Sequence, residues 1–197
     1  MNKANKITMS RIVMSLIIII LLIFPFDQVG MEFPTYLIKG SVVIDLKYII
    51  VGLLFIIAAV TDFFDGYVAR KKNMVTDFGK MMDAISDKLL TNSVLIILGC
   101  NGKISTVVVV VIVVRDIVVD CIKMIIGNRG SAVGAIGIAK VKTAILMIGI
   151  VLTLFYNLPF ELINFRVSDF LLAIASILSV ISGIKYYLMA KPYLINK

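Results

Sequence analysis

The sequence predicts an all-α membrane protein of six transmembrane helices, folded as a single domain over residues 1–197. Three observations predict it. The chain is 60% hydrophobic and 16% charged, with a mean hydropathy of +1.06, whereas soluble domains sit near ~45–50% apolar with about a quarter of their residues charged. The apolar residues gather into six segments, each near the ~20 residues that cross a bilayer. The basic residues collect at alternate ends of those segments. A globule of this length cannot hide such an apolar excess, because its surface still needs polar cover.

The segments follow in order. The first spans 7–26, with Arg11 close enough to one end to snorkel. Its basic start resembles a signal peptide, but no small-residue cleavage site follows, so a retained span is expected. A polar connection with Pro34 and mixed charge fills 27–47. The second span covers 48–62, the third 78–99 and the fourth 104–126. The valine run 107–114 could read as a buried strand. Strands cross membranes only in closed barrels, however, and the other segments lack barrel alternation, so helix is expected. The fifth span covers 139–156 and the sixth 170–189. Only Lys39, Lys47, Lys103 and Arg166 lie at one set of ends, and most other basic residues lie at the opposite set. The positive-inside rule then puts both termini, and the loops after spans two and four, in the cytoplasm of a cell membrane.

Composition also excludes. There is no histidine, which removes Ser-His-Asp and Cys-His nucleophile systems and the usual zinc sites. Cys100 and Cys121 lie in separate apolar segments outside any CxxC motif and are expected to be packing residues. The formal charge of +8 belongs to membrane flanks instead of a basic domain, so no nucleic-acid partner is expected.

The chemistry concentrates in 62–87, DFFDGYVARKKNMVTDFGKMMDAISD. Asp62 and Asp65, three apart, share a face if the second helix continues; Asp83 and Asp87, four apart, share a face of the third. A short basic connection turns the two helices antiparallel, so the four carboxylates can converge at the cytoplasmic edge. Each ionised group within a membrane costs roughly 2.5–3.5 kcal/mol on insertion scales unless compensated. Shared protons or bound cations relieve that cost. Clustered carboxylates are hard oxygen ligands that suit two Mg²⁺ or Mn²⁺ ions, and a two-metal site suits in-line displacement at phosphorus. Gly66 and Gly79 fit places where backbone approaches ligand or a neighbouring helix. Arg70 offers a planar fork for phosphate, while Lys71 and Lys72 serve as topology anchors. Arg115 and Asp116 lie well inside an apolar span and either pair with one another or a neighbouring helix, or serve the substrate.

The fixed positions D-x2-D-G-x2-A-R-x8-G-x3-D-x3-D resemble the signature of the CDP-alcohol phosphatidyltransferases, and all of them are present. The resemblance implies a six-helix homodimer among membrane lipids, with its active site open to the cytoplasm. By matching position, Asp62, Asp65 and Asp83 hold one metal, and Asp62, Asp83 and Asp87 surround the second. Gly66, Arg70 and Thr76 hold the cytidine diphosphate part of CDP-diacylglycerol, with Asn5, Thr8 and Gly79 also on the donor side. Asp87 is the catalytic base that deprotonates the acceptor hydroxyl, and CMP leaves. The segments NKITMSR and GIAKVKT are similar to those of bacterial members that use sn-glycerol 3-phosphate. A phosphorylated acceptor fits a cluster of Arg115, Lys123, Lys140 and Lys142. Ala4, Ala84 and Ala139 stand where related chains commonly carry proline, proline and glycine. Alternatives are a same-family transferase acting on phosphatidylglycerol, an inositol phosphate or serine, and a divalent-cation transporter. Against the latter, the aspartates cluster at one edge with no acidic partner across the membrane.

Overall fold

The computed structural model describes residues 3–38, 42–71, 77–128 and 136–195; for 3–8, 38, 62–71, 77–81, 83–84, 128 and 193–195 it describes backbone alone. Six helices follow the six apolar segments: α1 (Lys3–Ile23), α2 (Leu46–Lys71), α3 (Asp77–Cys100), α4 (Thr106–Asn128), α5 (Gly137–Leu154) and α6 (Val167–Ile195). The valine run is helical, as expected, within α4. α2 does continue past residue 62, so Asp62 and Asp65 occupy one helix and Asp83 and Asp87 another.

Helix starts have local causes. The Asp45 carboxylate accepts the Lys47 amide at 2.8 Å, capping the first turn of α2. The Asn157 side-chain oxygen accepts the Ser168 amide at 3.1 Å at the start of α6. The tyrosine hydroxyl of Tyr186 accepts the Ile136 amide at 3.2 Å, tying the entry of α5 to α6.

The connection expected to be simply polar contains structure. A short 3-10 turn, Phe26–Val29, precedes an antiparallel hairpin of β1 (Thr35–Ile38) and β2 (Val42–Asp45), in which Thr35 faces Asp45 and Tyr36 faces Ile44. The all-α class holds for the six-helix body, and the plain polar connection expected over 27–47 is corrected by this hairpin. The β-branched and aromatic residues of 35–38 and 42–45 favour extended pairing over so short a length, a signal that the surrounding polar residues obscured.

The helices form two groups. α1 packs along α2 and α3, while α6 packs along α4 and α5; α2 meets α5, and α3 meets α4, over smaller areas. One apolar core joins the groups, with Ile18, Phe55, Leu98, Ile112, Ile150 and Leu172 all at most 1% exposed. Close approach is bought by small residues: a Cβ on Gly149 would sit 2.9 Å from Leu172 Cγ, and one on Gly52 would sit 2.6 Å from Phe155 Cε2.

Among the described residues, two helices are long and apolar enough to cross a membrane, over Gly137–Leu154 and Val167–Pro192. Shorter apolar stretches occupy Met9–Ile23 in α1 and Leu46–Thr61 in α2. α3 and α4 are interrupted by charge: Asp83, Asp87 and Lys88 in one, Arg115, Asp116, Asp120 and Lys123 in the other. Cys100 and Cys121 are free and exposed on helix surfaces, which corrects their reading as packing residues.

Candidate active site

Asp87 and Lys88 of α3, with Arg115, Asp116, Asp120 and Lys123 of α4, line a cavity of about 520 Å³ between the two helix groups, within the ~300–1,000 Å³ typical of small-ligand sites. Helical periodicity explains its walls. From α4 come Asp116, Val119, Asp120 and Lys123, at positions i, i+3, i+4 and i+7 of one face. α5 contributes Lys140, Lys142, Thr143 and Leu146; α3 contributes Asp87, Lys88 and Thr91; α2 contributes Ala59 and α6 Tyr186.

Five of the sequence-predicted residues meet here. Asp87, Arg115, Lys123, Lys140 and Lys142 all line this cavity, so the expected base and the expected acceptor-binding cations share one space. The remaining candidates are located by backbone only. Asp62 and Asp65 follow Ala59 along α2 by one and two turns, Gly66 and Arg70 continue the same helix, and Gly79 and Asp83 precede Asp87 on α3. Asn5 and Thr8 lie in α1. The side chains of these residues, and all of Thr76, lie outside the described residues.

The cations are individually held. The Arg115 guanidinium donates from Nε to the Ser179 carbonyl at 3.0 Å, from Nη2 to Ser182 Oγ at 2.6 Å and from Nη1 to Asp116 Oδ1 at 2.8 Å. Lys142 Nζ donates to both Asp116 oxygens, at 2.9 and 3.0 Å. Lys123 Nζ lies 5.1 Å from the centroid of the Tyr186 ring, a favourable cation–π distance. Lys88 pairs with Asp120 across α3 and α4. Lys88 and Asp120 are the charged residues of the cavity to which the sequence assigned no site role, and Asp116 was open between pairing and a substrate role. Their signal was charge inside an apolar segment, which for Lys88 sat unread beside Asp87.

Among the described residues lining the cavity, Lys88, Arg115, Lys123, Lys140 and Lys142 face Asp87, Asp116 and Asp120, an excess of two positive charges. That excess matches a phosphate monoester, which carries close to two negative charges at neutral pH. For divalent metal, the donor type fits: Asp87 and the other motif aspartates of α2 and α3 are carboxylates, hard oxygen donors suited to Mg²⁺ or Mn²⁺, whereas Asp116 and Asp120 are paired with cations. No group of three or more metal-capable side chains occurs among the described residues; three of the four motif aspartates have side chains outside them.

A larger cavity, about 910 Å³, opens at the opposite end of the bundle, around Lys103, Tyr156, Glu161, Arg166 and Asp169. It contains none of the predicted site residues. Its central feature is the Lys103 ammonium, 4.2 Å from the Tyr48 ring and 4.3 Å from the Tyr156 ring. Burial there pushes the lysine below its ordinary range, against the opposing pull of Asp45. With Glu161 and Asp169 balancing Lys103 and Arg166, it lacks the cationic excess of the first cavity. Size alone is a poor guide here.

The structure is thus a helical bundle whose described charged cleft carries an excess of cations beside the helix pair that bears the motif aspartates. The chain belongs to the CDP-alcohol phosphatidyltransferase family, whose model matches residues 1–181. It is 38% identical over 186 residues to the CDP-diacylglycerol–glycerol-3-phosphate 3-phosphatidyltransferase of Bacillus subtilis, covering 94% of this chain and 93% of that one. It is 36% identical to the enzyme of the same name from Rickettsia felis, over 72% of this chain and 79% of the relative. It is 35% identical to that of Mycoplasma genitalium, over 77% and 64%.

Proposed function

We propose that this chain transfers the phosphatidyl group of CDP-diacylglycerol to sn-glycerol 3-phosphate, giving phosphatidylglycerophosphate and CMP. The observation that carries the reading is the shared cavity, in which Asp87 lies with Arg115, Lys123, Lys140 and Lys142. In this mechanism the cations take the acceptor's phosphate and leave its free primary hydroxyl on the Asp87 side. Asp87 accepts the hydroxyl proton as the oxygen attacks the phosphorus that bears diacylglycerol. The new O–P bond forms as the bond to the CMP phosphate breaks, and the electron pair leaves with CMP. Asp62, Asp65, Asp83 and Asp87 are the residues that would hold two Mg²⁺ or Mn²⁺ ions. When bound, such ions polarise the pyrophosphate and neutralise charge on the leaving group. Gly66, Arg70, Thr76, Gly79, Asn5 and Thr8 serve the donor nucleotide in this reading.

All six helices would cross the cell membrane, with both termini and the charged cavity on the cytoplasmic side, and the protein would work as a homodimer. Support comes from the family, from the two long apolar helices and from the segregation of basic residues. The test is CMP release by purified protein in detergent micelles, with sn-glycerol 3-phosphate, serine, inositol phosphate or phosphatidylglycerol as acceptor, with and without chelator. Release with sn-glycerol 3-phosphate that stops on chelation and returns with Mg²⁺ or Mn²⁺ is expected. Release with serine instead overturns the acceptor assignment, and turnover that persists in chelator overturns the metal assignment.

A further inference from the structure

Asp116 sits where three charges from two helices meet, that of Lys142 buried and the other two largely so. Its side chain is 12% exposed, that of Arg115 13% and that of Lys142 4%. Oδ1 accepts from Arg115 and both oxygens accept from Lys142. Arg115 is meanwhile laid along α6: its Nε and Nη2 are spent on Ser179 and Ser182, and a Cβ on Gly183 would come within 3.2 Å of its Cγ. Asp116 therefore fixes Lys142 against an arginine that α6 already holds.

A carboxylate is a poor choice for a pocket that only needs to attract an anion, since it repels one. It is a good choice for holding a lysine. A free ammonium on a four-carbon stem has many rotamers and loses most of them when it binds. Gripped by two oxygens, Lys142 has that ordering completed before the ligand arrives. One ammonium N–H remains, as does one N–H each on Arg115 Nη1 and Nη2, counting the bonds above. All three residues line the cavity.

We propose, resting on the function assigned above, that Asp116 is the positioning residue of the acceptor pocket. It orients Lys142 and Arg115 so that together they bind a phosphate monoester, and thereby sets the preference for a phosphorylated acceptor over an uncharged alcohol. Simple electrostatics and positioning predict opposite signs for Asp116→Asn. Removing a negative charge beside the ligand lowers KM for sn-glycerol 3-phosphate if Asp116 is a bystander. Losing the grip on Lys142 raises it if Asp116 positions.

The experiment measures steady-state CMP release for the wild type, D116N and D116E, varying acceptor and donor separately, with thermal unfolding in detergent alongside. D116N is expected to raise KM for sn-glycerol 3-phosphate by about ten-fold to a hundred-fold, with kcat falling less and KM for CDP-diacylglycerol little changed. D116E, which keeps both oxygens, is expected to recover part of the loss. Equilibrium binding of sn-glycerol 3-phosphate by calorimetry, without donor, is expected to weaken in parallel. If D116N does not fold, Ser182→Ala, which loosens Arg115 alone, is expected to give a smaller rise in the same KM. An unchanged or lower acceptor KM in D116N overturns the proposal, as does an unchanged one in both D116E and S182A when D116N does not fold. Wild-type protein that ignores sn-glycerol 3-phosphate removes the assigned function itself, whatever the variants do.

Discussion

Lys142→Met is the sharpest single perturbation of the cavity. Methionine keeps the length and apolar stem of lysine and deletes the ammonium. In the free protein, Asp116 Oδ2 loses its Lys142 hydrogen bond, while Oδ1 keeps Arg115 at 2.8 Å. Because Arg115 stays, the cost falls in the range of an unsatisfied buried acceptor, about 1–3 kcal/mol, and below the ~3–5 kcal/mol of a buried charge stripped of every partner. The protein should therefore fold, with a modest loss of thermal stability. In the complex, one charge-assisted contact to phosphate disappears, worth about 1.5–3 kcal/mol. At about 1.4 kcal/mol per factor of ten, KM for sn-glycerol 3-phosphate should rise by roughly ten-fold to somewhat over a hundred-fold. The assay is CMP release in detergent micelles across a range of acceptor concentrations at saturating CDP-diacylglycerol. A KM within about two-fold of wild type, in a folded variant, refutes the placement of Lys142 on the acceptor's phosphate.

Asp87→Asn should leave helix content and unfolding temperature close to wild type while CMP release falls by about 10²–10⁴-fold; retained turnover removes Asp87 from the chemistry. Gly149→Ala places a methyl 2.9 Å from Leu172 Cγ, so overpacking of about 1–3 kcal/mol should outweigh a helix-propensity gain of about 1 kcal/mol. A higher unfolding temperature for that variant contradicts the packing described between α5 and α6. In a chain with Cys100 and Cys121 replaced by serine, Asn101→Cys in the turn after α3 should react with a membrane-impermeant maleimide added outside intact cells; labelling only after lysis reverses the orientation.

The six helices were legible because each apolar run is long and bounded by charge, a pattern that dominates local preference. That is why a run of β-branched residues such as 107–114, read in isolation as a strand, forms the start of α4. The hairpin was not legible, because its strands are four residues each and lie among polar neighbours. Within the site, the aspartate spacing was readable since all four residues fall within one stretch of chain. The Arg115, Lys123, Lys140 and Lys142 cluster could be named but not assembled. Lys142 and its anchor Asp116 are 26 positions apart, and Arg115 reaches Ser182 over 67. Only the docking of α4 and α5 against α6 makes them neighbours. The Lys88–Asp120 pair was invisible for the same reason, as it forms where α3 meets α4.

The arrangement of helices in two groups separates two responsibilities. On the proposed function, α2 and α3 carry the motif aspartates that would serve any acceptor, whereas α4 and α5 carry Arg115, Lys123, Lys140 and Lys142, which would recognise one in particular. Among the described residues, Asp87 meets these cations in one cavity, to which α3 also adds Lys88. Changes in α4 or α5 can thus exchange one alcohol for another while the bond-breaking apparatus stays as it is.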